Sequence, residues 1–211
     1  MINSGISLRP ACAVVAALCV MSSAVWGGSV SAEHLLELAE LGNAQAQYAF
    51  ADRLAKGDGV EQSWQLAADW YLLAAEQGHP EAQHALGVLF MNGLGVARNE
   101  RTAVGLFFRA AAQGHAQAEY CLGWAYAEGR GVRRNPRRAA FWFELAARRG
   151  HAEAQYRLGK SYFLGRGVRR DLERARLWLE RAAAQQSDRA AEFLLCLRDH
   201  SRARVKMPAD M

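Results

Sequence analysis

The chain has 211 residues, of which 51% are hydrophobic and 22% charged, with 19 Gly and 4 Pro. That is enough for a sizeable core and excludes a disordered, collagen-like or disulfide-dense protein. The net charge of +5 is unevenly laid: residues 33–105 carry 4 Arg/Lys against 10 Asp/Glu, and residues 106–211 carry 21 against 11. Alanine is abundant and β-branched residues are few, which points to helix.

Residues 1–32 read as a signal peptide. Arg9 is their only charged side chain, and an apolar run follows from Ala11 to Val25. Gly27-Gly28-Ser29 and Val30-Ser31-Ala32 then form a small-residue exit, with cleavage expected between Ala32 and Glu33. The apolar run is about 15 residues long, short of the ~20 that span a bilayer, so no stable membrane insertion is expected. Neither Cys12 nor Cys19 has the neighbours of a lipidation site. The expected location is the periplasm, reached by export.

From residue 42 the chain repeats with a period of 36. Gly42, Gly78, Gly114 and Gly150 keep this step, as do Gly57, Gly93, Gly129 and Gly165. Gly59, Gly95, Gly131 and Gly167 keep it too, followed by Val60, Val96, Val132 and Val168. Paired alanines recur at 74–75, 110–111, 146–147 and 182–183. Each unit reads as two helices. The first follows the Gly42-type turn and stops at the Gly57-type residue. The second opens on Ser63, Asn99, Asn135 or Asp171, all good N-cap residues, and ends after the paired alanines at the next turn glycine. The small columns allow close helix packing, and Tyr48, Tyr120, Tyr156, Phe90, Tyr126 and Tyr162 fill the spaces between. One unit cannot bury its own apolar face, so the units must stack. The fold class expected is all-α: a solenoid of four full helix pairs with capping half-units over 33–198, then a flexible basic tail over 199–211.

The motifs Ala152-x-Ala154-x-Tyr156-x-Leu158-Gly159-x-x-Tyr162, Gly165-x-Gly167-Val168 and Ala175-x-x-Trp178 resemble the Sel1-like repeat, a relative of the tetratricopeptide repeat. The resemblance covers about 44–196, and the first unit diverges, with Phe50-Ala51 in place of Leu-Gly. It implies a right-handed superhelix of helix pairs that holds partner proteins, and it does not imply an enzyme.

Catalytic and metal chemistry find little support in the residues. His79, His115 and His151 form a column just after the turn glycines. Equivalent atoms of successive units lie roughly 10 Å apart, whereas zinc holds its ligands at about 2 Å, so these read as turn-capping residues. Cys121 and Cys196 sit two repeats apart, roughly 20 Å in a stacked array, and a disulfide needs Cα atoms within about 7 Å. Two separate thiols are expected. Some secreted relatives with cysteine pairs in every unit bind β-lactams, and that cysteine framework is absent here. No cofactor is expected.

Two features point to a partner surface. Arg130, Arg133, Arg134, Arg137 and Arg138 crowd one inter-helix loop, and Arg166, Arg169 and Arg170 occupy the next. Such an edge suits an acidic protein, phospholipid headgroups or nucleic acid, and export disfavours nucleic acid. The columns Asp52, Val88, Trp124, Lys160 and Arg53, Leu89, Ala125, Ser161 change character at every repeat. By analogy with related solenoids they line the concave face, where Trp124 is a natural anchor. The expected binding residues are Trp124, Val88, Leu89, Lys160, Arg133, Arg134, Arg169 and Arg170. Exported single-module proteins of the resembled family occur as immunity proteins of type VI secretion phospholipase effectors. The reading that follows is such an immunity protein, with an envelope adaptor or assembly factor as the alternative.

Overall fold

Every glycine of the Gly57 type ends a helix in the left-handed region, and every cap of the Ser63 type starts the next. The computed structural model describes residues 31–205, with side chains at 196 and from 198 onward excepted. Residues 1–30, most of the expected signal peptide (1–32), and Cys196's side chain therefore lie outside the described residues. Within them the chain is all helix. One compact unit ends at Arg98 and a second begins at Asn99.

The first unit holds α1 (Ala32–Glu40), α2 (Ala44–Lys56), α3 (Trp64–Glu76) and α4 (Pro80–Asn92). The second holds α5 (Glu100–Ala112), α6 (Ala116–Glu128), α7 (Pro136–Arg148), α8 (Ala152–Leu164), α9 (Leu172–Ala184) and α10 (Asp188–Val205). The architecture is an all-α solenoid of helix pairs. Ser63, Asn99, Asn135 and Asp171 each accept a hydrogen bond from the N–H three residues on. Gly57, Gly93, Gly129 and Gly165 cap the first helices at φ between +68° and +78°.

The alanine columns are the floor of the packing. Ala67, Ala103, Ala139 and Ala175 are buried, as are Ala46, Ala82, Ala118 and Ala154 on the first helices. Where two helices cross most closely even alanine is too large: a Cβ at Gly123 would lie 2.5 Å from the Phe143 ring, and one at Gly159 would lie 2.7 Å from Leu179.

The second glycine of each loop makes a joint. A Cβ at Gly95 would come within 2.3 Å of the Trp64 backbone, at Gly131 within 2.3 Å of the Glu100 carbonyl, and at Gly167 within 2.0 Å of the Pro136 carbonyl. Trp64, Glu100 and Pro136 are the first residues of the preceding repeat's second helix. Backbone thus meets backbone, and only glycine fits. At Gly59 the same position meets nothing within 4 Å.

Buried amides tie successive helices. Gln47, Gln83 and Gln155 donate from Nε2 to the carbonyls of Ala39, Ala75 and Ala147, each at 3.1 Å. The Oε1 of Gln47 and of Gln155 accepts from the side chains of Gln77 and Gln185. In the remaining repeat both partners change: Glu119 takes the place of glutamine and meets Nε of Arg149 at 3.1 Å. Its second oxygen, Oε2, is buried with no hydrogen-bond partner.

Two expectations need correction. Residues 199–205 continue α10 as helix instead of starting a tail. Nothing in that stretch stops a helix, since the next proline is Pro208, beyond the helix end. Leu89 is 3% exposed and part of the core, so it is not offered to a partner. In the same column Ala125 is fully buried, while Arg53 and Ser161 are half-buried.

Candidate functional site: a basic groove in the second unit

Helical spacing puts Trp124, Ala127 and Glu128 on one face of α6, and Arg157, Lys160, Ser161 and Leu164 on one face of α8. Between these two first helices the N-terminal half of α7 lies lower, so a groove forms above it. Its floor is Pro136, Ala139 and Phe143, and its walls are Ala127, Glu128, Arg157, Lys160, Ser161 and Leu164. Arg134 and Arg166 close it from the two arginine-rich loops, and the cavity measures about 130 Å³. A second, wider cavity of about 520 Å³ opens beside it along the loop containing Arg133, Arg134 and Arg138.

Four cations and one carboxylate, Glu128, thus surround an apolar floor. Arg157 is held by Glu153 at 2.9 Å, and Arg134 donates from Nε to the Ala127 carbonyl at 3.0 Å. The side chains of Lys160 and Arg166 make no hydrogen bond or ion pair among the described residues.

Trp124 stands one turn before the groove on α6, half-buried. The Arg130 guanidinium lies 5.1 Å from its ring centre, and the Glu100 carboxylate holds that guanidinium while accepting from the Gly131 N–H at 2.9 Å. The guanidinium is thereby held over one face of the indole.

Of the expected residues, the groove brings together Lys160 and Arg134, while Trp124 stands one turn before it on α6. Arg133 and Arg169 are exposed on the loop edge with no ion pair among the described residues. Arg170 is exposed, with its guanidinium 5.7 Å from the Phe163 ring centre. Val88 is half-buried on α4 in the first unit. The groove also recruits Arg157 and Arg166, which sequence reasoning left out of the binding set. The 36-residue period offered a signal for Arg166, the counterpart of Arg130. For Arg157 the signal was helical spacing, one turn before Lys160 on α8; that this face forms the wall depends on how α8 is rotated against α7.

The histidines are structural. His79, His115 and His151 cap α4, α6 and α8, each accepting at Nδ1 from the N–H three residues on. His79 and His151 also reach Gln45 and Gln117 through Nε2 and stack on Tyr48 and Tyr120. No group of three metal-ligating side chains occurs among the described residues. Burial pushes the Cys121 thiol up to about 12, so it stays protonated and unreactive at neutral pH. No helix among the described residues is long and apolar enough to cross a membrane.

A chain of short helix pairs with capped turns and a variable groove is an interaction solenoid. The Sel1 repeat family model matches residues 42–79, 80–115, 116–151 and 152–187, and the chain belongs to that family. A protective antigen of uropathogenic Escherichia coli displaying an SLR fold is 38% identical over 79% of this chain and 36% of its own, with a TM-score of 0.76. A Sel1 repeat protein from Oxalobacter formigenes is 39% identical over 79% of this chain and 48% of its own, with a TM-score of 0.72. The chain thus spans between a third and a half of the length of these two. An immunity protein from Pseudomonas aeruginosa, 20% identical over 87% of this chain and 85% of its own with a TM-score of 0.43, is too distant to bear on function. No curated protein matches the chain. Sel1 repeats mediate protein–protein interaction, and their family consists in general of scaffolds rather than enzymes.

Proposed function

We propose that this chain is an exported protein-binding module whose groove between α6 and α8 receives an acidic segment of its partner. The observation that carries the reading is the pairing of the exposed apolar Pro136 and Leu164 with the cations Lys160 and Arg166, one turn from Trp124. An acidic segment satisfies the cations, and an apolar side chain within it packs on Pro136 and Leu164, which are exposed. The partner we assign is a secreted toxin of the phospholipase class, neutralised in the periplasm as an immunity protein does. The leader-like residues 1–32 support this assignment. An envelope adaptor uses the same groove on a resident subunit.

The test is co-expression and recovery of the exported chain from periplasm, followed by intact-mass measurement and identification of co-purified protein. A mature chain beginning near Glu33, bound stoichiometrically to a secreted enzyme whose activity it blocks, is the expected result. A mass retaining residues 1–32 in the membrane fraction overturns the export reading. A stable complex with an envelope subunit and no effect on any toxin selects the adaptor.

A further inference from the structure

The groove lies on the first helices. The outer faces of the second helices in the second unit carry a different pattern. At helical spacing, α5 presents Arg101, Phe108 and Arg109, α7 presents Arg137, Arg138 and Phe141, and α9 presents Arg174, Leu177 and Arg181. Phe108, Phe141 and Leu177 are 37%, 55% and 45% exposed. Each helix thus puts one large apolar side chain at the middle of a basic stripe. Of the carboxylates on these faces, Glu144 pairs with Arg148 and Glu180 with Arg176, Asp171 pairs with Arg174, and Glu173 is exposed one turn before Leu177.

We infer that this face docks on an anionic phospholipid surface. Three observations favour that occupant. First, residues 99–205 hold 21 bases and 11 acids, so a second copy applied to the same face brings like charge against like charge. Second, Trp142 stands edge-on to both Phe108 and Phe141, at 5.4 and 5.3 Å between ring centres, and closes the space between them. The apolar groups therefore protrude and offer no pocket to seat a partner's side chain; a soft headgroup layer receives such a surface. Third, arginine forks flank the apolar row, and guanidinium pairs bidentately with phosphate. Aromatic side chains at headgroup level beside cations are the physical features of a surface-bound, non-spanning protein. This inference stands apart from the proposed protein partner and does not depend on it.

The experiment is co-sedimentation of the whole chain with vesicles of equal phosphatidylglycerol and phosphatidylcholine, and with vesicles of phosphatidylcholine alone. Binding to the anionic vesicles is expected, about tenfold weaker on the neutral ones, and reduced when salt shortens the screening length from about 10 Å toward 3 Å. The paired change Phe141→Ser and Leu177→Ser alters no charge. It is expected to weaken vesicle binding about tenfold while leaving the helical circular dichroism unchanged. Arg101→Glu with Arg137→Glu is expected to do the same. The groove variant Lys160→Glu with Arg166→Glu adds as much negative charge elsewhere and should leave most of the vesicle binding in place. Four results overturn the proposal. They are no binding to anionic vesicles; equal loss from the groove variant and the outer-face variant; indifference to Phe141→Ser with Leu177→Ser; and an acidic protein or a second copy found seated over Phe141 instead.

Discussion

Gln186 occupies the fifth copy of the Gly42 column and is the only non-glycine at positive φ, +62°, among the described residues. A side chain there is strained by about 1–2 kcal/mol, offset in part by the greater freedom glycine has when unfolded. Gln186→Gly is therefore expected to stabilise the chain by about 0.5–1 kcal/mol, read as a raised melting temperature. The Glu119–Arg149 pair makes a sharper test. Arg149→Gln leaves a buried carboxylate without its cation and should cost about 2–3 kcal/mol, toward the low end for such pairs because Arg149 is half exposed. Glu119→Gln added to it rebuilds the glutamine pair of Gln47 with Gln77 and of Gln155 with Gln185. The double variant should return to within about 0.5 kcal/mol of the parent, measured by urea unfolding around a double-mutant cycle. Additive losses would show that the two side chains do not act together. This swap was readable in the columns, yet period and residue class say nothing of which glutamine faces which. That pairing, like the place of Arg157 on the groove wall, depends on helix rotation.

Helix ends are where sequence spoke most plainly. A cap acts within one turn, so Ser63, Asn99, Asn135 and Asp171 are recognisable from their neighbours alone. Histidine as a cap adds a pH dependence, because protonation at Nδ1 removes the acceptor. Burial holds His151 below its ordinary value near 6.5, with its own backbone hydrogen bond and Glu153 opposing. A site depressed on folding takes up its proton first in the unfolded chain. The stability it contributes is present above about pH 6.5 and is lost as pH falls through that value and on through the lower folded one. His151→Asn keeps a cap, as Asn43 does in the first repeat, and does not titrate. The melting temperature of this variant should change less between pH 7.5 and 5.5, by differential scanning calorimetry, than that of the parent. An unchanged slope would place the pH sensitivity elsewhere. The loops give the contrasting case. Gly131→Ala meets the Glu100 carbonyl as well as an unfavourable φ and should cost about 3 kcal/mol, whereas Gly59→Ala, with open space around it, should cost about 1 kcal/mol. Equal losses from the two would mean the joint contributes nothing beyond backbone conformation.

For the whole molecule, the fold class was legible because a solenoid repeats its instructions, and four copies separate a structural column from a variable one. Function is less legible for the same reason: what varies serves either a partner or a local packing need. Leu89 and Trp124 both vary, and only burial distinguishes them. Charge is unequal too, with 3 bases and 9 acids over residues 31–98 against 21 and 11 over 99–205. Partner binding is expected to follow the second unit. Trp124→Ala should weaken the complex by about 2 kcal/mol, mainly through faster dissociation. Reversal of Arg133, Arg134, Arg169 and Arg170 to Glu should slow association and flatten its salt dependence. Surface plasmon resonance at two ionic strengths separates the two effects. A Trp124→Ala chain that melts earlier yet binds normally assigns the indole to stacking.

The joints at Gly95, Gly131 and Gly167 have a consequence for how such a protein grows. Each loop fits against the main chain of its neighbour, and the side chain it lies beside is in turn Trp64, Glu100 and Pro136. Three such unlike residues are tolerated because the closest approach at each joint is to main chain, the Glu100 side chain also accepting a hydrogen bond from the Gly131 N–H in one of them. A duplicated stretch of gene encoding one unit therefore arrives with a working seam already built in. Its side chains are then free to drift toward a new target while the seam holds. Lineages can lengthen or shorten the array in single steps, and the groove can be re-specified one copy at a time.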